Sequence, residues 1–92
     1  MPRDRKKVKA ALLRKGFREY ENDHSYFIYY TRKGKKTIVK TKVSHSGKDI
    51  SKVIMGYMAK QCKISVQEFH QLVDCTLSQD AYEARLKAQA LT

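Results

Sequence analysis

The sequence predicts an α+β fold of one domain, a three-stranded antiparallel sheet with helices on one face, on three observations. Apolar residues near its start recur with helical spacing. Three runs rich in β-branched and aromatic residues follow between residues 17 and 43. From Ile50 onward the apolar spacing becomes helical again. Ninety-two residues suffice for one modest core, and 41% hydrophobic content is ordinary for a globular chain, so the 32% of charged residues does not imply disorder.

The elements follow in order. In "RDRKKVKAALLRKGF", Val8, Ala11 and Leu12 fall at i, i+3 and i+4, and Gly16 supplies a left-handed stop. Asp4 near the start and Arg14 and Lys15 near the end suit the helix dipole. "FREYE" (17–21) and "SYFIYYT" (25–31) read as strands. "RKGK" (32–35) is a turn with Gly34 available for positive φ. "KTIVKTKV" (36–43) returns as a third strand, with Thr37, Val39, Thr41 and Val43 on one face and Lys36, Ile38, Lys40 and Lys42 on a wet one. "SHSGKD" (44–49) is a loop. Ile50, Val53, Ile54, Tyr57 and Met58 give the next helix its apolar face. "SVQE" (65–68) is a capping box opening a helix that buries Val66, Phe69, Leu72 and Val73. Ser78 caps a last helix with Tyr82 and Leu86 at i, i+4. The order α-β-β-β-α is that of a double-stranded-RNA-binding-like core, residues 1–64, and residues 65–92 form a C-terminal helical extension packed on it. Val8, Leu12, Phe17, Val39, Val43, Ile50, Ile54 and Met58 are expected to be mostly buried.

Charge points to the partner class. The net charge is +11, and it is unevenly spread: residues 1–63 hold 18 Lys and Arg against 5 Asp and Glu, while residues 64–92 hold 2 against 4. Such a field favours a polyanion, with nucleic acid first and an acidic protein or an anionic membrane surface after it. Arg32, Lys33, Lys35, Lys36, Lys40 and Lys42 put six cations and no acid between residues 32 and 42, the pattern expected of phosphate contact. His45 and Lys48, in a Ser-His-Ser-Gly loop before a helix, suit phosphate held by backbone N–H groups and a lysine. Tyr26 and Tyr29 are candidates for base stacking. Cys62 and Cys75, 13 positions apart with no CxxC, read as buried reduced thiols of a cytoplasmic protein. The three histidines and two cysteines contain no pair at short ligand spacing, so no metal and no cofactor is expected, and no apolar stretch is long enough for a membrane span.

Two motifs compete for the functional reading. "MAKQCKISVQEF" (58–69) has the look of a helix-turn-helix, but Lys63 stands at the usual glycine of the turn. The would-be recognition helix carries Glu68 and Asp74 and no Lys or Arg, which is the wrong sign for DNA. The other motif is "NDHSYFIYY" (22–30), with His24 opening the aromatic strand. Imidazole near neutral pH can take the proton of a 2′-hydroxyl or give one to a leaving 5′-oxygen, the two transfers that cleave RNA without a metal.

A helix ending in "RKGF", a histidine at the mouth of the second strand and "GKDISKVIMGYMAKQCKISVQEF" together resemble the HicA-like toxins, over about Lys9 to Phe69. This family comprises small RNA-cleaving toxins of type II toxin–antitoxin systems. The resemblance implies a metal-independent endoribonuclease acting on mRNA, with His24 as the catalytic histidine and an antitoxin protein as partner. Asn22 and Asp23 stand where the family usually has Gly and Ser, and Val53 and Ile54 replace its frequent Gly and Thr. The alternative on the same fold is an RNA-binding module without catalysis, and a third reading is a basic domain that holds an acidic protein.

Overall fold

The computed structural model describes residues 3–21, 25–43 and 48–91. Its elements run β1 (Arg3–Asp4), α1 (Arg5–Arg14), β2 (Phe17–Glu21), β3 (Ser25–Tyr30), β4 (Lys36–Val43), β5 (Asp49–Ile50), α2 (Lys52–Gln61), α3 (Val66–Val73) and α4 (Gln79–Ala88). Strands β2, β3 and β4 form an antiparallel sheet in sequence order, as expected, and β1 pairs with β5 in a separate two-stranded strap. The fold is α+β.

Local chemistry accounts for the boundaries. Asp4 caps α1 by accepting from the Lys7 N–H at 3.1 Å. Gly16 ends the turn after α1 at φ +96°, where a Cβ would fall 2.3 Å from Gln79 Nε2. The hairpin turn closes on Thr31, whose carbonyl accepts from Gly34 N–H and whose N–H donates to the Lys35 carbonyl, both at 2.8 Å. Ser65 and Glu68 form the full reciprocal capping box, and Ser78 caps α4. Between Ile28 and Tyr30 the β3–β4 register shifts, because β4 carries extra residues there. Thr37 bridges the irregularity: its hydroxyl donates to the Tyr29 carbonyl at 2.7 Å and accepts from Val39 N–H at 3.2 Å.

One core joins all the layers. Val8, Ala11 and Leu12 of α1, Phe17, Phe27, Tyr29, Val39 and Val43 of the sheet, and Met55, Met58 and Ala59 of α2 pack with Phe69, Leu72, Tyr82 and Leu86 from the last two helices. Tyr82 stacks on Phe17 at 5.8 Å between ring centroids and meets Tyr29 edge-on at 5.1 Å. Its hydroxyl donates to the Cys62 carbonyl at 2.8 Å, satisfying an orphan acceptor at the end of α2.

Four expectations need correction. Ile54 was expected inside but is 42% exposed, and Val53 and Tyr57 are exposed with it. The inward stripe of α2 is Met55, Met58, Ala59 and then Cys62, because α2 starts at Lys52 behind its Ser51 cap and its other apolar stripe faces water. Val66, at the first turn of α3, is 44% exposed for the same reason of helical phase. The stretch read as a loop through residue 49 ends in β5, so Ile50 is buried from a strand paired with Arg3 and not from the helix, which a pattern of two residues cannot reveal. Cys62 is buried as expected, with burial pushing its thiol up to about 12, whereas Cys75 is exposed at a left-handed φ of +65°. Loop residues 44–47 lie outside the described residues.

Glu83 fastens α4 to the sheet. Its buried carboxylate accepts from the Tyr29 hydroxyl at 2.7 Å and the Arg32 N–H at 2.9 Å. The Tyr29 bond chiefly holds its pKa below the ordinary glutamate value; Glu68, held by the Ser65 N–H and Arg85, and Asp74, held by Arg3, are lowered too. A carboxylate whose pKa falls on folding stabilises the fold above its unfolded pKa, and that contribution is lost as pH falls through the folded value. In urea melts at descending pH, Glu83→Gln is therefore expected to be less stable than the parent at neutral pH, with the gap closing through the acid range. A gap that persists unchanged in acid would remove Glu83 from this role.

Candidate nucleic-acid interface

The sheet has one packed face and one open face, and alternation sorts the side chains between them. The pairings Tyr20↔Tyr26, Arg18↔Ile28, Tyr26↔Lys42, Ile28↔Lys40 and Tyr30↔Lys36 put these residues on the open side. Three tyrosines and four cations thus share one surface, with Ile38 76% exposed beside them. The Arg18 guanidinium lies 3.9 Å from the Tyr30 ring centroid, and Lys40 Nζ lies 4.4 Å from that of Tyr26. The hydroxyls of Tyr20 and Tyr30 hydrogen-bond to each other, and this bond is the main reason the Tyr20 pKa is raised. A groove of about 240 Å³ at the β4 edge is lined by Tyr26, Lys40, Thr41, Lys42 and Gln61, with Thr41 Oγ1 donating to Gln61 Oε1 at 2.7 Å.

The expected site residues divide. Tyr26, Lys36, Lys40 and Lys42 come together on the open face. Tyr29 does not: it points into the core at 0% exposure, so stacking on a base is excluded for it. Burial, then its bond to Glu83, raises its hydroxyl pKa, consistent with a structural phenol. Alternation puts the neighbouring Tyr30 outside in its place. Lys33 and Lys35 are exposed in the hairpin turn, while Arg32 is drawn into an ion pair with Asp80 of α4. Lys48 is exposed elsewhere, beside the start of α1, where its carbonyl accepts from Arg5 N–H at 2.9 Å.

Arg18 and Tyr20 were missed as site residues, although a signal existed. With Phe17 inward, the alternation of "FREYE" sends both to the other face. His24 and His45 lie outside the described residues. Ser25 and Val43, the described residues next to those segments in sequence, are cross-strand partners. Ser25 is buried there, and its hydroxyl has no hydrogen-bond partner among the described residues. His70, on α3, is half-buried with Nδ1 3.3 Å from Arg3 Nη1; burial and then the Arg3 charge lower its pKa.

Lys63 adopts φ +67°, so the α2–α3 turn takes the left-handed residue that a helix-turn-helix needs even without glycine. The exposed side chains of α3 remain Val66, Gln67 and Gln71, with Asp74 at its end, and none is basic. Among the described residues no three His, Cys, Asp or Glu side chains gather as a metal-ligand group, and no helix is long and apolar enough to cross a membrane. Comparison with protein-family models, curated proteins and solved structures finds no match in any of the three.

Proposed function

We propose that this protein binds single-stranded RNA on its open sheet face and cleaves it without a metal through His24, as a HicA-like toxin held in check by an antitoxin protein in the cytoplasm. The observation that carries the RNA reading is the open face itself, where exposed Tyr20 and half-buried Tyr26 and Tyr30 lie among Arg18, Lys36, Lys40 and Lys42. Cations track a phosphate backbone, and tyrosine or arginine planes stack on unpaired bases of any sequence. A duplex offers no free base faces for such a surface. The order α-β-β-β-α, with the helices behind the sheet, supports the double-stranded-RNA-binding-like class for the fold. The same face would serve equally without His24, which favours a non-catalytic RNA-binding module as the second reading.

Titration of a labelled single-stranded RNA against salt tests the binding. Each phosphate contact contributes roughly 0.7 to the log–log salt slope for a single strand, so Lys40→Ala with Lys42→Ala is expected to flatten it measurably. In the same assay Tyr30→Ala is expected to cost about 1–3 kcal/mol, the usual size of a base–aromatic stack. An unchanged slope and affinity would remove this face from the binding surface.

A further inference from the structure

On α2 the residues Val53, Gly56, Tyr57 and Lys60 fall at i, i+3, i+4 and i+7, one stripe along the helix. The stripe is distinct from the buried Met55 and Met58 and borders Ala59. With Ile64 and Val66 it lines an open groove of about 380 Å³ between α2 and the start of α3. Val53 is 63% and Tyr57 60% exposed, so a helix already packed on one side presents a second apolar side to water.

Gly56 adds an independent observation. It sits mid-helix, where glycine costs about 1 kcal/mol against alanine. Its φ is not positive, and a Cβ built on it would meet nothing within 4 Å. Neither the backbone nor the core therefore requires glycine at this position. What the missing side chain does is leave the floor of the groove open to close approach by another backbone.

The charges select the occupant. Lys52, Lys60 and Lys63 are exposed along α2 and its turn, and residues 52–65 contain no Asp or Glu. Glu68, beyond them, is engaged by Arg85 and by the Ser65 N–H. A second copy of the chain would bring the same lysines against these across a two-fold axis, and like charges so placed repel. A flat anionic bilayer would leave the concave floor at Gly56 unused. We infer that this groove docks an acidic amphipathic helix of another protein, with two to three turns of apolar side chains at i, i+3, i+4 spacing flanked by Asp or Glu. The inference does not rest on the RNA reading.

The probe is a synthetic helix of about 18 residues, long enough to hold helical structure, with leucines at that spacing, flanking glutamates and alanine elsewhere, alongside a control with lysine for glutamate. Titrated into the full chain, the acidic peptide should shift the backbone amide resonances of Val53, Gly56, Tyr57 and Val66, and the lysine control should not. Gly56→Gln, which fills the floor without a clash, and Tyr57→Ser, at an exposed position, should each weaken binding about tenfold. Both should keep the parent's circular dichroism. The inference is overturned if the acidic peptide fails to bind below about 1 mM, shifts other surfaces equally, or binds both variants as it binds the parent. It is also overturned if sedimentation shows a dimer that Gly56→Gln dissolves, or if the stripe binds anionic vesicles and not the peptide.

Discussion

His24→Ala should cut RNA about 10²–10⁴-fold more slowly than the parent chain while binding it almost as tightly. In metal-independent cleavage the 2′-oxygen bonds to phosphorus as the bond to the 5′-oxygen breaks. One proton leaves the 2′-hydroxyl and another reaches the departing oxygen. A histidine positioned at the scissile phosphate serves one of these transfers, and 10²–10⁴ is the usual worth of such a group. Binding should survive because one imidazole is a minor part of a surface whose first 63 residues hold 18 cations against 5 acids. The product should end in a cyclic phosphate, DNA of the same sequence should remain intact, and EDTA should leave the rate unchanged. If the parent chain, free of any partner, cuts no RNA, or if His24→Ala cuts as well as the parent, the toxin reading fails. The open sheet face would then stand as the site of a binding module.

Tyr82→Ala should lower the unfolding free energy by about 3–5 kcal/mol, the range for emptying a buried aromatic site. Tyr82 is fully buried between Phe17 and Tyr29, and its hydroxyl holds the Cys62 carbonyl. Tyr82→Phe keeps the ring and loses only the hydrogen bond, so it should cost about 1–3 kcal/mol for the buried carbonyl left unpaired. Urea denaturation of the two variants separates packing from hydrogen bonding. A loss below about 1 kcal/mol for Tyr82→Ala would make α4 a separable appendage, because ordinary surface changes stay within about half of that.

How much of this was legible in the sequence depended on whether a pattern had one solution. Helix α1 has a single apolar stripe and a glycine stop, and the Ser65–Glu68 box has its chemistry written at fixed spacing. Both were readable. Helix α2 carries two apolar stripes, Met55–Met58–Ala59 and Val53–Gly56–Tyr57, and only the packed tertiary structure decides which is inside. In β3 every residue from Tyr26 to Tyr30 is aromatic or β-branched, so its own composition gives no parity. The parity lies in its partner: β4 alternates lysines outward, and pairing Tyr26 with Lys42 puts Tyr26 and Tyr30 with them and Tyr29 inside. The Tyr29–Glu83 bond joins residues 54 positions apart, and no local rule announces such a pair. Of the candidate site, the lysines and Tyr26 were legible, and Arg18 and Tyr20 were within reach of strand alternation.

The Arg3 clamp on α3 and the Glu83 clasp under β3 have a kinetic consequence. Arg3 reaches Asp74 across 71 positions, and Tyr29 reaches Glu83 across 54. Loops of that length must close before the contacts that reward them exist, and chains dominated by such closures fold in milliseconds to seconds rather than microseconds. Without α4 docked, Phe17 and Tyr29 would lose the Tyr82 ring that covers them, beside a strongly cationic hairpin. A chain in that state would be at once sticky to apolar surfaces and attractive to polyanions, so any interval with α4 undocked would open this protein to aggregation and to proteases.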